Sequence, residues 1–116
     1  MSKKLKISKQ LNRIMLINCK TILFSSIEDI VYIKSEKEYL RIYNPTPTDC
    51  ILGALCKTEK DLPEYFIKAH RSYIINIKKI QEIKFIDRRK YRALMCNGDE
   101  IPLTADAYKQ IMTLYV

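Results

Sequence analysis

The chain has 116 residues, a hydrophobic fraction of 47% and a charged fraction of 29%, which are typical of one globular domain with a core of its own. No apolar stretch is long enough to span a bilayer, and the apolar run at residues 14–17 is too short for a secretory signal, so we expect a cytoplasmic protein that does not enter a membrane. The formal net charge of +8 favours a polyanionic partner, most simply nucleic acid, although basic charge also serves solubility.

Two segments carry the positive charge. Residues 1–20 contain six basic residues and no acidic one, and residues 68–92 contain nine basic residues and two acidic ones. The start of the chain is polar, although Leu5 and Ile7 could lie on one face of a helix. We therefore expect a basic flexible arm or short helix at 1–12, followed by a folded domain at 13–116.

The first half of the chain is predicted to form hairpins, because short β-branched and aromatic runs alternate with turn residues. The predicted strands are at residues 13–18, 21–24, 30–33, 39–43 and 50–53. Ser25 or Ser26 can cap a short helical turn at 27–29. Residues 36–38 form the predicted tip of the second hairpin, and two prolines predict a loop at 44–49.

The second half is predicted to contain two helices and further strands. The first helix covers residues 55–62 and ends before Pro63, and the second begins after the capping residue Thr104. The predicted strands are at residues 73–75, 77–86 (with a bend at 78–79), 91–96 and 100–103, joined by a charged tip at 87–90 and an Asn97-Gly98 turn. The predicted inward side chains are those of Ile77, Ile80, Ile83 and Phe85 in the long strand and Ala107, Tyr108, Ile111 and Leu114 in the last helix. The fold class is therefore mainly β.

The cysteines and the single histidine do not predict a metal site or an active site. No pair among Cys19, Cys50, Cys56 and Cys96 has Cys-x-x-Cys spacing, and His70 alone cannot complete a two-cysteine, two-histidine set. The apolar neighbours of Cys50, Cys56 and Cys96 predict buried free thiols. Without a glycine-rich phosphate loop or a nucleophile–base signature, we expect no cofactor and no enzymatic activity.

Binding chemistry is better supplied, at three predicted loops and one hairpin tip. The candidate DNA-binding residues are Lys37 and Tyr39 in the first loop, Lys68, His70, Arg71 and Ser72 in the second, Thr104 and Lys109 at the last helix, and Arg88, Arg89 and Lys90 at the tip. A guanidinium on a rigid strand suits bidentate contact with guanine or phosphate, and a helix start offers backbone N–H groups to phosphate. Each also has a plainer interpretation: a solvated tip, a simple helix cap, or cross-strand packing by Tyr39.

The order and spacing of several motifs resemble the LytTR DNA-binding domain family, from about Thr21 to about Met112. The most specific block is His-Arg-Ser-Tyr-Ile-Ile-Asn at 70–76, followed by Asn-Gly at 97–98 and Ile-Pro-Leu-Thr at 101–104. The resemblance implies an elongated antiparallel multi-sheet fold whose three loops enter the major groove of double-stranded DNA. It also implies a bacterial transcription regulator of the response-regulator output type, acting on paired direct repeats, with a homodimer on those repeats as a further expectation.

The resemblance assigns roles to three residues of the central block. Arg71 is expected to contact a base or a phosphate, whereas His70 is expected to orient the loop from within. Asn76 is expected to satisfy backbone groups in the neighbouring turn. No receiver domain is recognisable, and the basic start at Met1 favours a stand-alone member of the family.

The chain departs from the family pattern in charge. Family members often carry a basic residue two places after the cap at the last helix, whereas this chain has Asp106 there. The first loop also contains Glu36 and Glu38. An alternative is therefore a LytTR-fold interaction module whose partner is another regulatory protein, and a weaker one is RNA binding through tyrosine and basic residues.

Overall fold

The computed structural model of the protein describes residues 4–44 and 51–115. Within these ranges the chain forms eleven strands in three antiparallel sheets, two α-helices and two short 3-10 turns. This confirms the predicted mainly β class with one internal and one C-terminal helix. The principal extents are 48 × 29 × 24 Å, so the domain is elongated, as the family resemblance implies.

The N-terminal sheet has three strands in the order β1-β2-β3. They are β1 (Lys4–Ser8), β2 (Arg13–Ile17) and β3 (Ile22–Ser26). All five residues of β1 pair with β2, so the expectation of an arm or a helix is wrong for residues 4–8. Leu5 and Ile7 alternate with lysines, and this period of two suits a strand with one face on the core. Residues 1–3 lie outside the described part of the chain.

The central sheet has five strands in the order β6-β5-β4-β8-β7. They are β4 (Tyr32–Glu36), β5 (Tyr39–Tyr43), β6 (Ile51–Leu52), β7 (Phe66–His70) and β8 (Tyr73–Asn76). The first helix, α1 (Leu55–Asp61), joins β6 to β7. The predicted strand at 30–33 starts later, at Tyr32, because the capped turn at Ile27–Asp29 leads into it. Of the predicted loop at 44–49 only Asn44 is described, and Cys50 also lies outside the described residues.

The C-terminal sheet has three strands in the order β11-β10-β9, followed by the second helix. Its elements are β9 (Ile80–Asp87), β10 (Lys90–Met95), β11 (Glu100–Leu103) and α2 (Ala105–Thr113). The strand predicted at 77–86 begins only at Ile80, because Ile77–Lys79 forms a 3-10 turn where the bend at 78–79 was predicted. Phe85 and Leu114, both predicted to face inward, are 68% and 57% exposed. Leu114 follows the end of α2, so it has left the buried face of the helix.

The central sheet separates two cores, because its successive side chains point to opposite faces. One core lies against the C-terminal sheet and α2, and its largest members include Val31, Tyr32, Ile75, Met95, Ile101 and Ile111. The other lies against the N-terminal sheet and α1, and includes Ile14, Ile33, Leu40, Ile74, Leu55 and Leu62. The arrangement is a three-layer stack with the central sheet inside, which holds that sheet rigidly on both faces.

Two buried polar groups connect these layers. Asn76 is fully buried, and its side-chain amide donates to the carbonyls of Glu28 (3.1 Å) and Ile30 (2.9 Å), while its Oδ1 accepts from the Lys78 N–H (2.9 Å). This confirms the expectation that Asn76 satisfies backbone groups of a neighbouring turn. The Tyr32 hydroxyl donates to Asp99 Oδ2 (2.8 Å) across the core that lies against the C-terminal sheet. Burial, and then the Asp99 carboxylate, raise the pKa of Tyr32 well above its usual value.

The expectation of buried thiols is wrong for Cys56 and Cys96, which are free and exposed. On α1 the buried residues are Leu55 and Thr58, so Cys56 lies on the solvent side of the helix. Cys96 follows the end of β10, where the chain turns outward. Cys19 is likewise free and exposed.

Candidate nucleic-acid interface

The turns that follow β4 and β7 lie side by side at one end of the central sheet. β4 and β8 are antiparallel neighbours, with Lys34 opposite Tyr73. The Ser35 N–H then donates to the Ser72 carbonyl (2.8 Å), which carries the pairing into the turn between β7 and β8. We call this end of the central sheet the loop end.

The β4–β5 turn presents Lys37, which is exposed. Lys37 has a φ of 57°, in the left-handed region that favours glycine. The turn therefore presents a long cationic side chain at a position where glycine would be less strained. Glu36 forms ion pairs with Arg41 (3.4 Å) and Lys34 (3.8 Å), which partly offset its charge. Tyr39 begins β5 and is 47% exposed, so it is accessible as well as part of the ladder.

The β7–β8 turn holds Lys68, His70, Arg71 and Ser72. Its ladder is interrupted between Lys68 and His70, where the fully buried Ala69 forms a bulge. Nδ1 of His70 accepts from the Ser72 N–H (3.3 Å), and the imidazole meets the Tyr73 ring edge-on at 5.9 Å. The half-buried histidine thus braces the turn, whereas the side chains of Lys68 and Arg71 are exposed.

The start of α2 is joined to the same end of the sheet. The Thr104 N–H donates to the carbonyl of the bulged Ala69 (2.9 Å). The Thr104 hydroxyl accepts from the Ala107 N–H (3.1 Å), so the predicted helix cap is confirmed. Asp106 in the first turn and Lys109 in the next are both exposed. An acid in the first turn of a helix stabilises the helix, which is a structural reason for aspartate at this position.

The β9–β10 tip extends beyond the start of α2. Arg88, Arg89 and Lys90 are exposed there, and Arg89 has a φ of 59°. At the base of the tip, the Tyr91 ring stacks on Tyr108 of α2 with centroids 4.5 Å apart. Because β10 also pairs with β11 next to Thr104, the tip is held beside the third loop.

A groove with a volume of about 570 Å³ lies between the β4–β5 turn, the β7–β8 turn and α1, and we call it the basic groove. Lys37, Lys68, Arg71 and Lys57 of α1 line it, together with Glu38. The Gly53 N–H donates to the Glu38 carbonyl (3.0 Å) and thereby holds the chain before α1 against the β4–β5 turn. Four cations against one carboxylate give this groove the charge that phosphate contacts require.

Sequence reasoning missed Lys57. The exposed position of Lys57 on the predicted helix can be predicted from the sequence, because Leu55 and Thr58 occupy the buried face. The proximity of Lys57 to Arg71 and Lys68 cannot be predicted in this way, because it depends on the packing of α1 beside the loop end. Of the predicted residues, Lys37, Lys68 and Arg71 line the basic groove. Tyr39, His70 and Ser72 lie in or beside the same two turns without lining it, and the others lie at α2 and at the β9–β10 tip.

The described part of the chain has neither a metal-binding cluster nor a helix that could span a membrane. Among residues 4–44 and 51–115, no cluster of histidine, cysteine and acidic side chains could hold a metal ion. Neither helix within those residues has the length and apolarity needed to cross a membrane.

Comparison with known proteins gives concordant matches. A family model described as the LytTr DNA-binding domain matches residues 20–115. The sensory transduction protein LytT of Enterococcus faecalis is 33% identical over 84 residues, which cover 72% of this chain and 35% of that protein. LytT of Bacillus subtilis is 27% identical over 95 residues, which cover 81% of this chain and 39% of that protein. The chain thus spans little more than a third of the length of these relatives.

A solved structure has the same fold. The LytTr DNA-binding domain of a protein from Bacillus cereus superposes with a TM-score of 0.76 at 20% sequence identity. The match covers 89% of this chain and 95% of that domain.

Proposed function

Since the chain belongs to the LytTR DNA-binding domain family, we propose that it is a sequence-specific regulator of transcription that binds double-stranded DNA through its loop end. The observation that carries this proposal is the assembly of three loops, distant in the chain, at one end of the central sheet. Two backbone hydrogen bonds, Ser35 to Ser72 and Thr104 to Ala69, hold them there. A rigid support of this kind lowers the entropy lost when loops become ordered on a ligand.

In this proposal the loops enter the major groove and Arg71 reads it. Its exposed guanidinium can form two parallel hydrogen bonds with guanine O6 and N7, or with a phosphate. Lys37, Lys57 and Lys68 would contact phosphates on either side, since lysine serves as a point charge. His70 would keep the turn in shape through its bond to Ser72.

The hairpin tip would extend the contact along the DNA backbone. Arg88, Arg89 and Lys90 stand beside α2, so they would meet phosphates next to those met by Thr104 and Lys109. The target would consist of paired direct repeats, with two copies of the chain bound side by side. A further regulatory protein could then act on the bound pair.

In vitro selection from a random pool of duplex DNA tests this proposal. We expect enrichment of a direct-repeat consensus, with an affinity that falls steeply as salt rises. Enrichment of a single half-site would keep DNA binding and remove the paired arrangement. If no sequence is enriched and binding is weak and independent of sequence, the proposal of sequence-specific regulation is contradicted.

Replacing Arg71 with alanine separates base reading from general charge. On the selected site we expect a loss of about 1–3 kcal/mol and a relaxed preference at one base position. Arg92→Ala is the matched control, because Arg92 is exposed on the C-terminal sheet, opposite Lys84 and Pro102. Equal losses for the two variants, with sequence preference unchanged, would show that Arg71 contributes only charge.

A second candidate function is that of a protein-interaction module that modulates another regulator. Asp106 and Glu38 favour it, because both are exposed at the loop end, where they would repel phosphates. Under this alternative the chain forms a stoichiometric complex with a regulator and shows no salt-dependent binding to duplex DNA. Competition between duplex DNA and RNA in the same assay distinguishes the RNA-binding alternative.

A further inference from the structure

The two edges of the N-terminal sheet differ in chemistry. β1, at one edge, carries Lys4 and Lys6. β3, at the other edge, has the sequence Ile-Leu-Phe-Ser-Ser, without a charge, a proline or a glycine. Charged side chains, proline or a bulge usually prevent an edge strand from pairing with another chain. β1 has this protection and β3 does not.

Within residues 4–44 and 51–115, nothing covers this unprotected edge. Ile22 is 51% exposed, Leu23 42% and Phe24 55%, which is high for three consecutive large apolar residues. In the sheet order β1-β2-β3, no further strand of the described chain pairs with β3. The edge therefore offers both unpaired backbone groups and apolar side chains to another molecule.

The hydrogen bonds of the hairpin determine which backbone groups of β3 are unpaired. At one end the Asn18 N–H donates to the Thr21 carbonyl, and at the other the Ile27 N–H donates to the Asn12 carbonyl. Hydrogen-bonded pairs alternate along an antiparallel ladder, so Leu23 and Ser25 bond to β2. The N–H and C=O groups that point away from β2 are those of Ile22, Phe24 and Ser26.

We propose that β3 pairs antiparallel with β3 of a second copy of this chain, about a two-fold axis at Phe24. In this register Phe24 faces Phe24 of the second copy, and Ile22 faces its Ser26. Every outward backbone group of Ile22, Phe24 and Ser26 then has a partner, and the two N-terminal sheets become one sheet of six strands. A two-fold contact of this kind is self-complementary and closes at two copies.

The charges that flank β3 favour this register. Lys20 precedes the strand and Asp29 follows it, and both are exposed. Glu28 beside Asp29 is exposed too, but it already forms an ion pair with Lys78 (3.1 Å), so Asp29 supplies the negative charge at this end. Antiparallel pairing places Lys20 of each copy next to the acidic end of the other copy. Pairing through β1 would instead bring Lys4 and Lys6 of both copies together, which is repulsive.

The contact is independent of the proposed DNA-binding surface. β3 belongs to the N-terminal sheet, whereas the three DNA-facing loops lie at the loop end of the central sheet. A two-fold axis relates the two loop ends by rotation, whereas neighbouring direct repeats are related by translation. The β3 contact therefore joins copies that are not bound to adjacent direct repeats.

Sedimentation equilibrium of the full chain, from micromolar to millimolar concentration, tests the proposal. We expect a monomer–dimer equilibrium for the unmodified protein. Phe24→Lys and Phe24→Glu should each raise the dissociation constant of the dimer by at least about tenfold, because they place like charges face to face at the axis. An equimolar mixture of the two variants should restore a dimer that contains one copy of each.

Leu114→Lys is the matched control, because Leu114 is 57% exposed after the end of α2 and lies outside the N-terminal sheet. This variant should associate like the unmodified protein, and circular dichroism should show that all variants are folded. All variants should bind a single DNA site as the unmodified protein does, so failure of either proposal is visible separately. A monomer at every concentration would overturn the β3 contact, as would a mixture that fails to associate.

Discussion

Replacing Asn76 with alanine should destabilise the protein far more than its small change in volume indicates. Asn76 is fully buried and makes three hydrogen bonds, two as donor and one as acceptor. The bond to the Ile30 carbonyl is buried, whereas those to Glu28 and Lys78 are partly accessible to water. Alanine leaves all three backbone groups without this partner.

The expected loss follows from the burial of each group. A buried group left without a partner costs about 1–3 kcal/mol, and a hydrogen bond that water can replace costs about 0.5–1.5 kcal/mol. We therefore expect Asn76→Ala to lower the free energy of unfolding by about 2–6 kcal/mol. Asn76→Asp should cost more, because its carboxylate cannot donate and would face two carbonyl oxygens.

Urea denaturation followed by circular dichroism measures this loss. Asn18→Ala is the control, because Asn18 also accepts backbone bonds, from Lys20 (2.8 Å) and Thr21 (2.7 Å), but is exposed. We expect that control to lose about 1–3 kcal/mol, roughly half the loss for Asn76→Ala, because water can replace both of its bonds. Equal losses for Asn76→Ala and Asn18→Ala would refute the reasoning that burial makes these bonds decisive.

Two further predictions concern charge. Tyr32→Phe should lower the free energy of unfolding by about 1 kcal/mol by removing the bond to Asp99. The pKa of Tyr32 is raised in the folded state, so the unfolded chain loses this proton at a lower pH than the folded protein does. Above about pH 10 the free energy of unfolding should therefore fall less steeply with pH in Tyr32→Phe than in the unmodified protein. Asp106→Asn should strengthen DNA binding a few-fold at low salt and not at high salt, whereas Asp29→Asn, before β4 and away from the loop end, should leave binding unchanged in the same titration.

Local chemistry made much of the fold predictable. Ser26 and Thr104 accept the backbone N–H groups expected of caps, and Gly98 has a φ of 91° in the predicted Asn-Gly turn. The tips at Lys37 and Arg89 also fall where charged residues interrupt apolar runs. These features depend on a few neighbouring residues, so a single sequence contains the information needed to find them.

The features that were missed depend on distant contacts. β1 has only two apolar residues, and its pairing with β2 decides that it is a strand. Ile77–Lys79 leaves the ladder because Asn76 caps it, although its composition equally suits a strand. Lys57 joins the basic groove only because α1 packs beside the loop end.

The attachment of the three loops has a consequence for how this domain can change over evolutionary time. Ser35 to Ser72, Gly53 to Glu38 and Thr104 to Ala69 are all bonds between main-chain atoms. Most substitutions leave main-chain atoms in place, so the residues between these anchor points can vary without moving the loops. Two descendants of one ancestral chain could therefore recognise different partners while keeping the same framework. An acidic residue at position 106 is a substitution that this framework tolerates.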